Sequence, residues 1–327
     1  MTGLSDSFQR PINYMRVSVT DRCNLRCVYC MPAEGVQPIS HNDILTYEEL
    51  YAVVKAGVEL GINKIRLTGG EPLVRLGIVD FVGMLSKLEG LDDLSMTTNG
   101  VLLARYAQEL KQAGLHRVNV SLDTLKPEKF EQITRGNKLN NVLKGIEAAR
   151  TAGLNPVKIN MVVMAGVNDD ELLDLARKTI NEEWHIRFIE IMPFAGTGNN
   201  ILKSITAREM KKRLDPLGKF EPYKHSMGNG PAKYFRLPNA KGTIGFITPI
   251  SEHFCFSCNR LRLTADGKLR PCLLAEHQID LRQPLRNGLS PEGLKNLIKQ
   301  AVDAKPECHH LAEGRIPQDR PFCQVGG

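Results

Sequence analysis

The feature that most constrains this chain is a strict two-residue alternation repeated in successive short stretches. β-like runs fall at Arg16–Thr20, Lys64–Thr68, Leu94–Thr98, Arg117–Leu122, Val157–Val163 and Ile186–Met192. Helix-like segments separate them. One opens at Thr46 with Glu49 three residues on, the signature of a capping box, followed by Leu50, Val53, Val54 and Val58 at helical spacing. Others carry Val142, Leu143, Ile146 and Ala149, and Leu172, Leu173, Ala176 and Ile180. Strand–helix alternation of this kind calls for a parallel sheet with crossover helices.

Five of the runs sort their side chains cleanly. Arg16, Ser18 and Thr20 alternate with Val17 and Val19, and Arg66 and Thr68 with Ile65 and Leu67. Ser95 and Thr97, Asn119 and Ser121, and Lys158 and Asn160 alternate in the same way with apolar neighbours. Successive strand side chains point to opposite faces. The apolar face carries the helices. The polar face is a poor dry core, because unpaired buried polar groups are costly, so it lines a ligand-filled concavity. A closed eight-stranded barrel fills its interior with branched apolar residues. An open, six-stranded partial barrel of TIM type fits better. The sixth run does not separate: Arg187 falls with Ile189, and Glu190 with Met192.

The texture changes after about residue 195, which divides the chain into a barrel over 1–195 and a smaller α+β extension over 196–327. Gly196-Thr197-Gly198-Asn199-Asn200 reads as loop. Short β-like pieces follow near Tyr234–Leu237, Thr243–Ile247 and Arg260–Leu269, then a helix near Pro291–Val302 and an extended tail over Arg315–Gly327.

The 327 residues, 42% apolar and 24% charged, exclude a disordered or fibrous chain. No apolar run approaches a membrane helix and the start lacks a signal-peptide layout, so a cytoplasmic protein is expected. The net charge of +7 suits an anionic ligand. The basic run Lys211-Lys212-Arg213 reads as a solvated helix face, and no basic tail or aromatic–basic platform suggests nucleic-acid binding. Eight cysteines are the anomaly, since clustered thiols in a reducing compartment point to metal or redox chemistry.

Cys23, Cys27 and Cys30 form Cys-x3-Cys-x2-Cys just after the first run. That end of a parallel strand is where α/β architectures build active sites. Three thiolates in one loop, with no histidine nearer than His41, favour an iron–sulfur cubane with one open iron over a zinc site. This motif resembles that of the radical S-adenosylmethionine (SAM) enzymes. Gly69-Gly70-Glu71-Pro72 after the second run resembles the stretch that contacts the SAM amino group in that superfamily.

Cys255, Cys258 and Cys272 form a second set, Cys-x2-Cys-x13-Cys. Ala265-Asp266-Gly267 marks a hairpin turn inside the long gap, which returns Cys272 beside Cys258. Taken alone this set suits either a cubane or a zinc ribbon completed by Cys308, His309 or Cys323. Arg260, Arg262 and Arg270 lie in the gap, and arginine forks recognise phosphate and purine edges.

The two sets together, and the terminal Gly326-Gly327, resemble the GTP 3′,8-cyclase family of molybdenum cofactor biosynthesis over essentially the whole chain. The resemblance implies a radical SAM partial barrel with a C-terminal extension carrying a second [4Fe-4S] cluster. It implies that Cys23, Cys27 and Cys30 hold the SAM cluster, and Cys255, Cys258 and Cys272 the second. Tyr29, Gly70, Glu71, Ser121 and Met192 would contact SAM. Arg16, Arg66, Thr97, Lys158, Arg260, Leu261 and Arg262 would contact GTP. Arg16, Lys158 and Arg187 would act in catalysis, and Gly326 and Gly327 would reach into the site as a flexible tail. The implied reaction takes hydrogen from C3′ of the GTP ribose, joins C3′ to C8 of guanine, and quenches the result with an electron and a proton. A flavodoxin- or ferredoxin-like donor would supply electrons, and cyclic pyranopterin monophosphate synthase would consume the product. Family members are often homodimeric. Competing expectations are a two-cluster radical SAM enzyme acting on a peptide or RNA, and a zinc-dependent nucleic-acid-binding protein.

Overall fold

The computed structural model describes residues 3–194, 202–223, 230–313 and 315–326. The six alternating runs form β1 (Tyr14–Ser18), β2 (Lys64–Thr68), β3 (Asp93–Thr98), β4 (Arg117–Ser121), β5 (Lys158–Ala165) and β6 (His185–Glu190). They are adjacent in chain order and all parallel. Between them run α1 (Tyr47–Glu59), α2 (Ile78–Leu85), α3 (Leu103–Gln112), α4 (Pro127–Thr134), α5 (Leu139–Thr151) and α6 (Leu172–Asn181). Thr46 caps α1 through the expected reciprocal box with Glu49. Its stripe of Leu50, Val53 and Val54 is fully buried, as are Val17, Ile65, Leu67, Met96, Val118, Val120 and Met161 on the outward faces of the strands. Each such side chain contributes roughly 1.5–3 kcal/mol on burial.

The later residues add β7 (Lys203–Ser204), α7 (Ala207–Leu214), β8 (Glu221–Pro222), β9 (Lys233–Arg236), β10 (Thr243–Ile247), β11 (Arg260–Leu263), β12 (Lys268–Arg270), β13 (Ile279–Asp280), α8 (Arg282–Arg286) and α9 (Pro291–Asp303). Here the six-strand expectation is corrected. β10 pairs parallel with β6 and β11 parallel with β1, so both edges of the six-stranded block are extended from the second half of the chain. The full order is β13-β12-β11-β1-β2-β3-β4-β5-β6-β10-β9-β8. The physical reason is that a parallel block leaves unpaired backbone groups at each edge, and the extension satisfies them. The expected division at 195/196 and the Gly196–Asn200 loop lie outside the described residues.

The Asp266-Gly267 turn sits where expected. Gly267 takes φ +82°, and Thr264 Oγ1 donates to Asp266 Oδ1 at 2.6 Å. β11 and β12 then pair antiparallel, Arg262 opposite Arg270. Lys211 departs from the solvated-face reading. Its ammonium lies over the rings of Phe235 and Phe246, 4.5 and 5.2 Å from their centroids, while Lys212 and Arg213 are exposed.

Candidate active site

One cavity is lined by both cysteine sets and by the inward faces of the sheet. Strand polarity places the sets at opposite ends. Cys23, Cys27 and Cys30 follow the carboxyl end of β1. Cys258 precedes β11, and Arg260 of β11 is level with Tyr14 at the amino end of β1. Cys272 follows β12, whose antiparallel course returns it to that same amino end. From Tyr14 to Ser18 the strand β1 rises roughly 13 Å, which separates the two levels along the sheet.

Between the two ends the wall is built in rows. Arg262, Arg16 and Arg66 stand in register on β11, β1 and β2. Neighbouring strands are only about 4.8 Å apart, and like charges directly opposite repel. Arg66 is partly satisfied: Nε donates to Ser95 Oγ at 3.1 Å, and its guanidinium lies 5.5 Å from the Tyr14 ring centroid. Arg16 Nε and the Nε and Nη2 of Arg187 are buried with no partner among the described residues, as is Asn160 Oδ1. Burial, then Arg262 and Arg66, pushes Arg16 well below its ordinary range. Arg187 faces Gly245 of β10, where an added Cβ would come within 3.1 Å of its Cγ. Such a row of desolvated donors is built for a polyanion.

The first cysteine loop is bolted to its neighbours. Leu25 N–H donates to Cys23 Sγ at 3.4 Å, and Asn99 Nδ2 donates to it at 3.7 Å. Val28 N–H donates to Ile133 O and Arg26 N–H to Thr134 O, each at 2.9 Å. Burial pushes the bare Cys23 thiol up to about 11 and Cys27 higher still, so a metal bound here would have to expel protons. Tyr29 lines the cavity and donates from its hydroxyl to Asp123 Oδ2 at 2.7 Å. Gly70 lies so close to the loop that an added Cβ would be 2.4 Å from Arg22 O.

At the second set, Cys258 N–H donates to Cys255 O at 3.1 Å, and Leu274 N–H to Cys272 Sγ at 3.4 Å. Burial alone would raise Cys258, but Arg260 and Lys305 outweigh it and hold the thiol down to about 6. The guanidinium of Arg260 stacks 4.9 Å from the Phe254 ring centroid.

Of the residues expected at the site, Arg16, Arg66, Thr97, Ser121, Arg187, Met192, Arg260 and Arg262 line the cavity, as do Tyr29, Gly70 and all six cysteines of the two sets. Three others stand differently. Glu71 turns away from the cavity and is wholly buried. Its oxygens accept from Thr98 Oγ1 (2.7 Å), Leu73 N–H (3.1 Å) and Asn99 N–H (2.6 Å). Its side chain fastens the turn after β2 to the end of β3, so only its backbone is left to serve the expected SAM contact. Leu261 is fully buried in the hydrophobic core, because it alternates with Arg260 and Arg262 on β11, so only its backbone can serve the site. Lys158 is not on the cavity wall. It lies two residues deeper than Asn160 on β5, almost fully buried. Burial, then Arg187, Arg117 and Arg66, pushes it down to about 6.

Gly326 has φ +78°, and its carbonyl accepts from Arg262 Nη1 at 2.9 Å. Phe322 packs on Phe194 with centroids 4.8 Å apart, and Cys323 lines the cavity beside Cys30. Gly327 lies outside the described residues. Tyr14, Asp123 and Glu190 also line the cavity and were not anticipated. Tyr14 was one period short of Arg16, on a strand that begins two residues earlier than its alternation suggests.

An open, parallel-rich sheet with three thiols after its first strand defines the class as the radical SAM proteins, and the Radical SAM superfamily model matches residues 17–179. The Molybdenum Cofactor Synthesis C model matches residues 184–311. Crystal structures of SuiB from Streptococcus suis share the fold at 13% sequence identity. The complex with precursor peptide SuiA superposes with TM-score 0.65 over 96% of this chain and 76% of that one. The SAM complex gives 0.61 over 87% and 68%. Among curated relatives, the GTP 3′,8-cyclase of Heliobacterium modesticaldum is 51% identical, covering 98% of this chain and 99% of its own. That of Pelotomaculum thermopropionicum is 50% identical, covering 99% and 100%. The chain belongs to the GTP 3′,8-cyclase family.

Proposed function

We propose that this chain is a radical SAM GTP 3′,8-cyclase, converting GTP to 3′,8-cyclo-7,8-dihydro-GTP in the first step of molybdenum cofactor biosynthesis. The observation that carries the reading is the pairing of two three-thiol sets at opposite ends of one cavity, with an in-register arginine row between them. Three thiols in one loop, with two N–H groups donating to Cys23, suit a cubane that keeps one iron open. The unpartnered N–H groups of Arg16 and Arg187 suit phosphate oxygens.

In this reading Cys23, Cys27 and Cys30 hold the cluster that binds SAM, and Cys255, Cys258 and Cys272 hold a second [4Fe-4S] cluster. When bound, SAM and its cluster supply a 5′-deoxyadenosyl radical that takes a hydrogen atom from the GTP ribose. Gly70 lets the backbone approach the SAM amino acid, and Tyr29 and Ser121 border it. Arg16, Arg66 and Arg187 clamp the triphosphate, with Lys158 adding charge from below. Arg260 and Arg262 hold the guanine end near the second set. Anchored at both ends, the nucleotide can be kept in the near-attack geometry of about 3–3.5 Å that ring closure needs. Gly326 closes the cavity against Arg262.

The test is anaerobic. Reconstituted protein is given SAM and dithionite, with GTP, with ATP or with neither, and 5′-deoxyadenosine and cyclised nucleotide are quantified. A GTP-specific yield of both is expected. SAM cleavage indifferent to the nucleotide would overturn the cyclase reading while leaving the radical SAM class intact.

A further inference from the structure

Lys305 follows the end of α9, past the cap residue Ala304, and is 3% exposed. A buried ammonium without a counter-charge is strongly disfavoured. No carboxylate among the described residues lies within ion-pair distance of it. Its Nζ donates to two backbone carbonyls, Arg260 O at 2.8 Å and Pro271 O at 2.6 Å. Those carbonyls belong to the residues that start and follow the β11–β12 hairpin. Pro271 immediately precedes Cys272, and Arg260 is two residues after Cys258. The Cys258 and Cys272 thiols are the acidic groups nearest in effect to the ammonium, each acting to keep its proton on.

The segment is held from its other side as well. Arg10 donates to Cys255 O (2.8 Å), Glu307 O (2.7 Å) and Pro306 O (2.7 Å), and Asp6 balances its charge at 2.6 Å. Arg10 therefore has its carboxylate, and Lys305 does not. The acidic groups that act on Lys305 are the Cys258 and Cys272 thiols, and a cubane held by three thiolates carries net negative charge.

We propose that Lys305 is the buried counter-ion of the cluster held by Cys255, Cys258 and Cys272, a positioning residue that sets that cluster's retention and reduction potential. This rests on the two-cluster reading above. The carbonyls of Arg260 and Pro271 hold the ammonium against the Cys258 side of the site. A cation there favours the more negative, reduced form of the cluster.

The experiment compares the parent with Lys305→Met and Lys305→Arg. Three quantities are read: iron per chain after anaerobic reconstitution, the midpoint potential of the second cluster by a redox titration followed by electron paramagnetic resonance, and the melting temperature of the metal-free chain. The expected result for Lys305→Met is a metal-free chain of stability close to the parent, together with a second cluster that is lost selectively or reduced only at lower potential. Lys305→Arg is expected to restore most of the difference. A Lys305→Met chain whose second cluster keeps the parent potential overturns the proposal. So does one that loses iron only because its metal-free form is destabilised, which marks a merely structural lysine. A parent that binds about four irons rather than about eight overturns the two-cluster reading itself.

Discussion

Lys158 shows how the charge of a single residue can report ligand binding. Its buried ammonium is held down to about 6, first by burial and then by Arg187, Arg117 and Arg66. An unfolded lysine keeps its proton up to about pH 10.4. Between these values the unfolded chain binds the extra proton, so the stability of the nucleotide-free protein should rise with pH across that window. A triphosphate brings the missing negative charge and pulls the lysine back up. GTP binding near pH 8 should therefore take up close to one proton per site. Calorimetry in two buffers of different ionisation enthalpy would reveal it, and Lys158→Met should abolish the difference. Equal enthalpies for the parent in both buffers would refute the idea. Gly70 offers a second test. Ala at this position puts a methyl 2.4 Å from Arg22 O, which must move the cysteine loop. SAM cleavage should fall at least about tenfold, with a smaller loss of GTP affinity measured by equilibrium dialysis. At this scale much was legible. Period-two alternation put Arg16, Arg66, Thr97 and Ser121 on one face, and they share a cavity. The burial of the Glu71 side chain is not legible locally, because Thr98 and Asn99, which hold it, come from the end of the next strand.

Among the elements, β6 and α7 depend on one carboxylate. Glu190, at the end of β6, accepts from Ala207 N–H (3.1 Å), Ile250 N–H (3.1 Å), Ser251 N–H (3.0 Å) and Ser251 Oγ. It thus fixes the start of α7 and the loop that leads to Cys255. An amide cannot accept all four bonds. Glu190→Gln should lower stability by about 1–3 kcal/mol in denaturant unfolding; a loss under about 0.5 kcal/mol would show the bonds are easily replaced by water. The Thr46–Glu49 box announced α1. The same signal stands at Thr206–Glu209, where it caps the short, highly charged α7. The sixth strand failed to sort by alternation for a related reason. Arg187 and Ile189 face inward, yet Glu190 and Met192 also reach the cavity where the strand ends.

For the molecule as a whole, both edges of the parallel block are closed by strands from the second half. Nothing local in Thr243–Ile247 or Arg260–Leu263 says that they extend opposite edges of the same sheet. The same holds for the tail, expected to be extended and instead carrying a turn at Phe322–Gln324 that packs Phe322 on Phe194. Ending the chain after Arg320 removes that packing and the Gly326 bond to Arg262. Iron content should stay near the parent value while cyclised product falls about tenfold or more. A truncated protein with full product yield would show that the tail is dispensable.

The pairing of β1 with β11 also bears on how the protein is made. After β1 leaves the ribosome, its outer edge has no partner until residues 260–263 emerge. At roughly 5–20 residues per second, that leaves a nascent sheet edge open for about 10–50 s. Any factor that shields this edge has to act within that interval of translation.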